Sequence, residues 1–102
     1  MRQLLLHPEV EDEIESWVAI LAERSERSPA RFLAEVRAGF NHIRERPTHA
    51  HFIHQSYRRL NLDRFSHAVI YREYDEAVYV IAVTHEKRHP DYWKRRIIDD
   101  VG

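Results

Sequence analysis

The segment Tyr57–Thr84, "YRRLNLDRFSHAVIYREYDEAVYVIAVT", decides the fold. Its tracts "YRRLNL", "HAVIYREY" and "AVYVIAVT" are rich in Val, Ile and Tyr, which suit a pleated, half-buried surface. Asp75-Glu76 separates the last two as a hairpin turn would, so the spacing predicts a meander of three strands. "VYVIAV" is apolar at nearly every position, the pattern of a central strand covered on both sides or of one whose outer face meets a partner. In "YRRLNLDRF", alternation puts Arg58, Leu60, Leu62 and Arg64 on one face and Tyr57, Arg59, Asn61 and Asp63 on the other. With Leu60 and Leu62 turned to the core, Tyr57, Arg59 and Asn61 form an outward row.

Upstream, the period is helical. From Pro8, a residue suited to a first helical turn, Val10, Ile14, Trp17, Val18 and Leu21 fall on one stripe, and Glu9, Glu11 and Asp12 lie where the helix dipole favours anions. "SERS" closes this helix and supplies Ser28 as a cap for a second, which runs from Pro29 toward Arg46 with Phe32, Val36, Phe40 and Ile43 on its stripe and Pro47 as its stop. Before the first helix, "RQLLL" reads as a strand stopped by His7-Pro8. Helical and extended tracts are thus segregated, which predicts an α+β domain over 1–102. Its order is β-α-α-β-β-β, with two helices packed on an antiparallel sheet and a short C-terminal helical turn.

Composition narrows the function classes. At 102 residues and 43% hydrophobic, the chain suits one modest core and not a disordered segment. The absence of cysteine removes disulfides, thiolate nucleophiles and Cys-based zinc sites. The opening "MRQLLLHPEVEDE" reads neither as a signal peptide nor as a membrane span, and the expected setting is the cytoplasm. Two glycines leave no Gly-rich phosphate loop, and no serine nucleophile elbow is present. Net charge is −1, yet residues 1–26 hold seven acids and two arginines while 27–72 hold nine arginines and three acids. Screening confines such fields to about 8–10 Å, so the asymmetry signals a local basic face.

That face continues into "HEKRHPDYWKRR", where the last strand ends. Loop positions at a strand end carry function on a rigid scaffold, and here His85 and His89 flank Lys87 and Arg88. An imidazole beside cations favours its neutral form, which makes His85 a candidate proton carrier. An outward row of ring, guanidinium and amide beside such a cluster suits a nucleic acid or an acidic peptide; a solvated, edge-protecting sheet face has the same composition. Trp93 is expected to fold back beneath the first helix, with Tyr92 partly exposed. His49, His51 and His54 lack the spacing and acidic partners of a metal site, so neither metal nor cofactor is expected.

The ordered residues resemble the RelE/ParE superfamily of toxins from bacterial type II toxin–antitoxin systems. "HPEVEDEIES" resembles the acidic opening of its first helix, and "YRRLNLDRFSHAVIYREYDEAVYVIAVTHEKRHPDYW" resembles the ending common among its ParE-like members. The resemblance implies a compact sheet with two packed helices, a role in growth inhibition or plasmid stabilisation, and a cognate antitoxin bound in a hetero-oligomer without a membrane. ParE-like members act on DNA gyrase through surface contacts. RelE-like members cut messenger RNA on the ribosome without a metal. In the RelE-like pattern Arg88 and Tyr92 match the arginine and tyrosine after the last strand, and Arg59 falls at a basic strand position. Arg59 and Arg88 would then hold phosphate, His85 would carry the proton and Tyr92 would position a base. Tyr57, Arg64, Lys87 and Lys94 would contribute to binding nucleic acid or a partner. Ala68 and Asn61 stand where that pattern has an arginine and a lysine, so either His85 and Lys87 rebuild the site or the chain does not cut RNA; the ending "HEKRHPDYW" resembles the ParE-like branch more, and a third class would be a non-toxic or decayed homologue that only binds its antitoxin.

Overall fold

A computed structural model describes residues 1–97 of the chain. Its elements are β1 (Gln3–Leu6), α1 (Val10–Ala22), α2 (Ser28–Glu45), β2 (His51–His54), β3 (Tyr57–Asn61), β4 (His67–Glu73), β5 (Ala77–His85) and α3 (Asp91–Lys94). The expected order holds, with one more strand. β2 pairs antiparallel with β3, His51 opposite Arg59 and Phe52 opposite Arg58, and forms an edge of the sheet. Its residues "HFIH" show no apolar–polar alternation because neither face is buried: Phe52 is 58% exposed and Ile53 42%. The sheet order is β1-β5-β4-β3-β2, and β1 joins β5 in parallel, so the sheet is mixed where an antiparallel one was expected. Ser28 is the first residue of α2 and makes no capping bond; instead Ser25 Oγ accepts the Arg27 N–H at 3.2 Å.

Both helices cover one face of the sheet. Val10 and Leu21 of α1 and Phe32, Val36 and Ile43 of α2 pack with Leu62, Val69, Tyr71, Val78, Val80 and Val83, and Leu60 lies against the same core. Gly39 of α2 faces Leu60, Leu62 and Val69. The opposite face carries a second, smaller core of Tyr57, Ala68, Ile70, Ile81, Ala82 and Trp93, closed by Tyr79, Tyr92 and Ile97. The expectation for β5 is met, since it lies inside the sheet with both faces covered.

A β-bulge aligns the two cores. Ile70 faces Ala82 and Tyr71 faces Val80, so Ile81 is the extra residue on β5. Alternation reverses there: Val78 and Val80 point to the helices, Ile81 and Ala82 both point away, and Val83 returns to the helices. The bulge therefore turns His85 to the helix side, where its ring lies 5.7 Å from that of Trp17. Beyond Leu6, β1 no longer covers the edge of β5, and two ionic side chains take its place. Glu13 Oε1 accepts the Val83 N–H at 3.1 Å, and Arg96 Nη1 donates to the Ile81 carbonyl at 3.0 Å. Arg96 Nη2 and Glu13 Oε2 are 2.9 Å apart, which locks the C-terminal segment to α1.

Candidate functional site

The C-terminal end of β5 and the turn after it gather most of the expected site. The Arg88 guanidinium lies over the Tyr92 ring at 4.0 Å, joined by Arg96 at 4.6 Å and Arg95 at 5.7 Å. Cation–π attraction holds the phenol ring among three guanidinium groups, of which Arg88 and Arg95 are exposed and Arg96 is buried against Glu9 and Glu13. α3 fixes this arrangement, because Trp93, 4% exposed, anchors its turn to the sheet. Trp93 is core as expected, but it packs on the face opposite the helices and not beneath α1.

His85 adds a defined donor. Its Nδ1 accepts the Lys87 N–H at 3.0 Å, so in the neutral ring the proton sits on Nε2. Neutral His85 therefore presents a hydrogen-bond donor and not a free basic nitrogen. The same turn repeats at His89, whose Nδ1 accepts the Asp91 N–H at 3.1 Å.

The remaining expected residues lie elsewhere. Arg59 is on β3, two strands from β5, where its Nε donates to Asn61 Oδ1 at 2.8 Å. Tyr57 shares the face of Arg59, as alternation required, but it is only 1% exposed because the Trp93 cluster covers it. Its expected role as an outward contact is corrected: the short α3 closes over that end of the sheet. Arg64 is exposed in the β3–β4 turn, tied by its N–H to Glu35 Oε1 at 3.1 Å. Lys94 is half-buried at the end of α3, and Lys87 is exposed beside His85.

Sequence reasoning missed His67, the first residue of β4. It is 5% exposed and sits edge-on to the rings of Trp17, Phe32 and His85, at centroid distances of 4.5, 4.9 and 4.9 Å. Burial, then His85 and then Arg24 lower its pKa to about 4, so it is neutral at physiological pH. Alternation in "HAVIYR" held the signal, since His67 shares its face with Val69 and Tyr71. Between α1 and the end of β5, Trp17, His67, His85, Lys87 and Arg88 border a cavity of about 310 Å³. A smaller one, about 190 Å³, lies alongside and has Arg88 and Tyr92 facing Glu9, just before α1, and the α1 acids Asp12 and Glu13. Among the described residues no cluster of His, Asp and Glu suits a metal ion, and no helix is long and apolar enough to cross a membrane.

Comparison with known proteins adds a fold-level match. No family model and no curated protein sequence matches the chain. A solved chain described as "Chromosomal ParDE TA system from P. aeruginosa" superposes with a TM-score of 0.68 at 11% identity, over 83% of this chain and 96% of that one. At that identity the likeness speaks for the architecture alone, and the chain shares its α+β fold with that chain.

Proposed function

We propose that this chain is the toxin of a toxin–antitoxin pair, of the ParE-like kind, acting in the cytoplasm on DNA gyrase through surface contacts and neutralised by a cognate antitoxin. The observation that carries the reading is the shared fold with a chain of the ParDE system over most of both lengths. The stacked Arg88–Tyr92 pair and Lys87 offer what such a contact needs, an exposed cationic and aromatic surface on a rigid strand end. Lys94 and Arg64 extend the charge, and Arg59 forms a separate basic point two strands away.

A metal-independent endoribonuclease is supported less well. It needs several cations converging on one phosphate, and Arg59 lies two strands from the strand that ends beside Arg88. Ala68 is fully buried and Asn61 uncharged, so neither replaces the missing cations. His85 offers an Nε2–H hydrogen-bond donor, but while Nδ1 is engaged it has no free ring nitrogen to take a proton from an attacking hydroxyl.

The test is purified chain added to gyrase with supercoiled plasmid and, in parallel, to ribosomes carrying messenger RNA. The expected result is accumulation of cleaved DNA–gyrase complexes. Arg88→Ala is expected to weaken the effect about tenfold or more, as the loss of an interfacial arginine does. Cutting of ribosome-bound messenger RNA without an effect on gyrase would replace this reading with the RelE-like one. Antitoxin binding with neither activity would leave a homologue that only binds its antitoxin.

A further inference from the structure

The cavity between α1 and the end of β5 differs from the rest of the surface in combining three features. Its floor is apolar, made by Trp17, Ile20 and Leu21. Its rim is cationic, made by Arg24, Lys87 and Arg88, and among the described residues no acidic one lines it. Among the described residues none of these three cations is ion-paired; Arg88 is steadied by stacking on Tyr92. In its wall, His67 is 95% removed from solvent, and neither ring nitrogen has a hydrogen-bond partner.

An unpartnered buried polar group costs free energy, on the order of 1–3 kcal/mol, and a core position of this kind is ordinarily filled by Phe or Leu. A ligand that bonds to the imidazole offsets the cost. Neutral His67 offers one donor and one acceptor, which suits a planar heteroatom-bearing ring or an amide better than a hydrocarbon. Among the described residues the lining of this cavity holds three cations and no acid, which suits an anion of more than one charge, and guanidinium groups match phosphate oxygens in pairs. At about 310 Å³ the space is at the small end of ligand pockets, too small for a folded partner.

We propose that this cavity binds a small organic phosphate, with the phosphate at Arg24, Lys87 and Arg88, the ring of the ligand on Trp17, and a ring heteroatom bonded to His67. The inference goes beyond the toxin reading, because it needs neither gyrase nor an antitoxin. It makes Arg88 common to the ligand site and to the proposed protein interface, so an occupied cavity would draw Arg88 away from that surface.

The experiment uses the full chain with adenosine 5′-monophosphate as probe, and inorganic phosphate and adenosine as its two halves. Imidazole nitrogen resonances of His67 and His85 and the fluorescence of Trp17 are followed during titration. The nucleotide is expected to shift both histidines and to bind at least about tenfold more tightly than either half, since ring and phosphate act together. His67→Phe is expected to keep the far-ultraviolet circular dichroism and to lose about tenfold in nucleotide affinity, the size of one hydrogen bond. Lys87→Gln, at an exposed position that cannot disturb the core, is expected to weaken nucleotide and inorganic phosphate alike and to leave adenosine unchanged. No shift of either histidine at millimolar nucleotide would overturn the proposal. So would adenosine binding as tightly as the nucleotide, or unaltered affinity in the Lys87→Gln chain.

Discussion

His67 illustrates how much one side chain depends on its enclosure. Its rings of contact come from α1, α2 and β5, and the groups facing it that oppose a positive charge on its ring are the His85 imidazole and the Arg24 guanidinium. In the unfolded chain an ordinary histidine binds its proton near pH 6.5, while the folded one holds off to about 4. Between these values the unfolded state carries more protons, so lowering the pH through that window favours unfolding, and the effect levels off below it. The loss is expected to be on the order of 3 kcal/mol between pH 7 and pH 4. Urea midpoints at pH 7, 5 and 4 check it: His67→Phe should flatten this part of the profile, and an equal slope in both proteins would refute the assignment. Gly39 gives a residue-scale result of opposite sign. A Cβ there meets Leu60 at 3.4 Å, ordinary contact, so Gly39→Ala should raise stability by about 0.5–1 kcal/mol through helix propensity. Thermal melts of the two proteins decide it. Both residues were readable in part, His67 from its place in an alternating tract and Gly39 from its position within a helical one. What could not be read was the ring cage, because Trp17, Phe32 and His85 are brought together only by the fold.

At the scale of elements, the decisive event is the end of β1 halfway along β5. A strand edge left without a partner exposes backbone groups that invite pairing with other chains. Here Glu13 and Arg96 occupy that edge, with side chains 5% and 3% exposed. Removing one member of a buried pair leaves the other charge uncompensated. Arg96→Met should therefore destabilise the chain by about 3–5 kcal/mol and free the C-terminal segment, measured as a lower urea midpoint with faster amide exchange at Ile81 and Val83. A change below about 1 kcal/mol would show that the pair does not hold this edge. The two helices, β1 and the three-strand meander were legible because each obeys a single period. β2 was not, since an exposed edge strand has no buried face to impress on its sequence. The bulge was hidden for a related reason: "VYVIAV" is apolar on both sides of the strand, so a reversal of alternation leaves no mark. The Glu13–Arg96 contact joins residues from opposite ends of the chain, and only the closeness of Glu13 to the apolar stripe of α1 hinted at it.

Across the whole molecule, charge is sorted by the fold more sharply than by the sequence. The acids of α1 line one wall of the smaller cavity while the cations after β5 line the other. Past that boundary the surface is cationic and aromatic around Arg88 and Tyr92. The candidate site was legible as far as its C-terminal half, because His85, Lys87, Arg88 and Tyr92 are neighbours in sequence. Its strand residues were less so. Arg59 and Tyr57 share a face with each other, yet topology separates Arg59 from the C-terminal cluster and α3 buries Tyr57. The proposed toxin contact is the surface around Arg88 and Tyr92. Its most direct test is induction of the chain in growing bacteria, beside an Arg88→Ala/Tyr92→Ala variant confirmed as folded by circular dichroism. The parent chain should stop growth and the variant should permit it; a harmless parent, or a variant that arrests growth equally well, would refute the proposal.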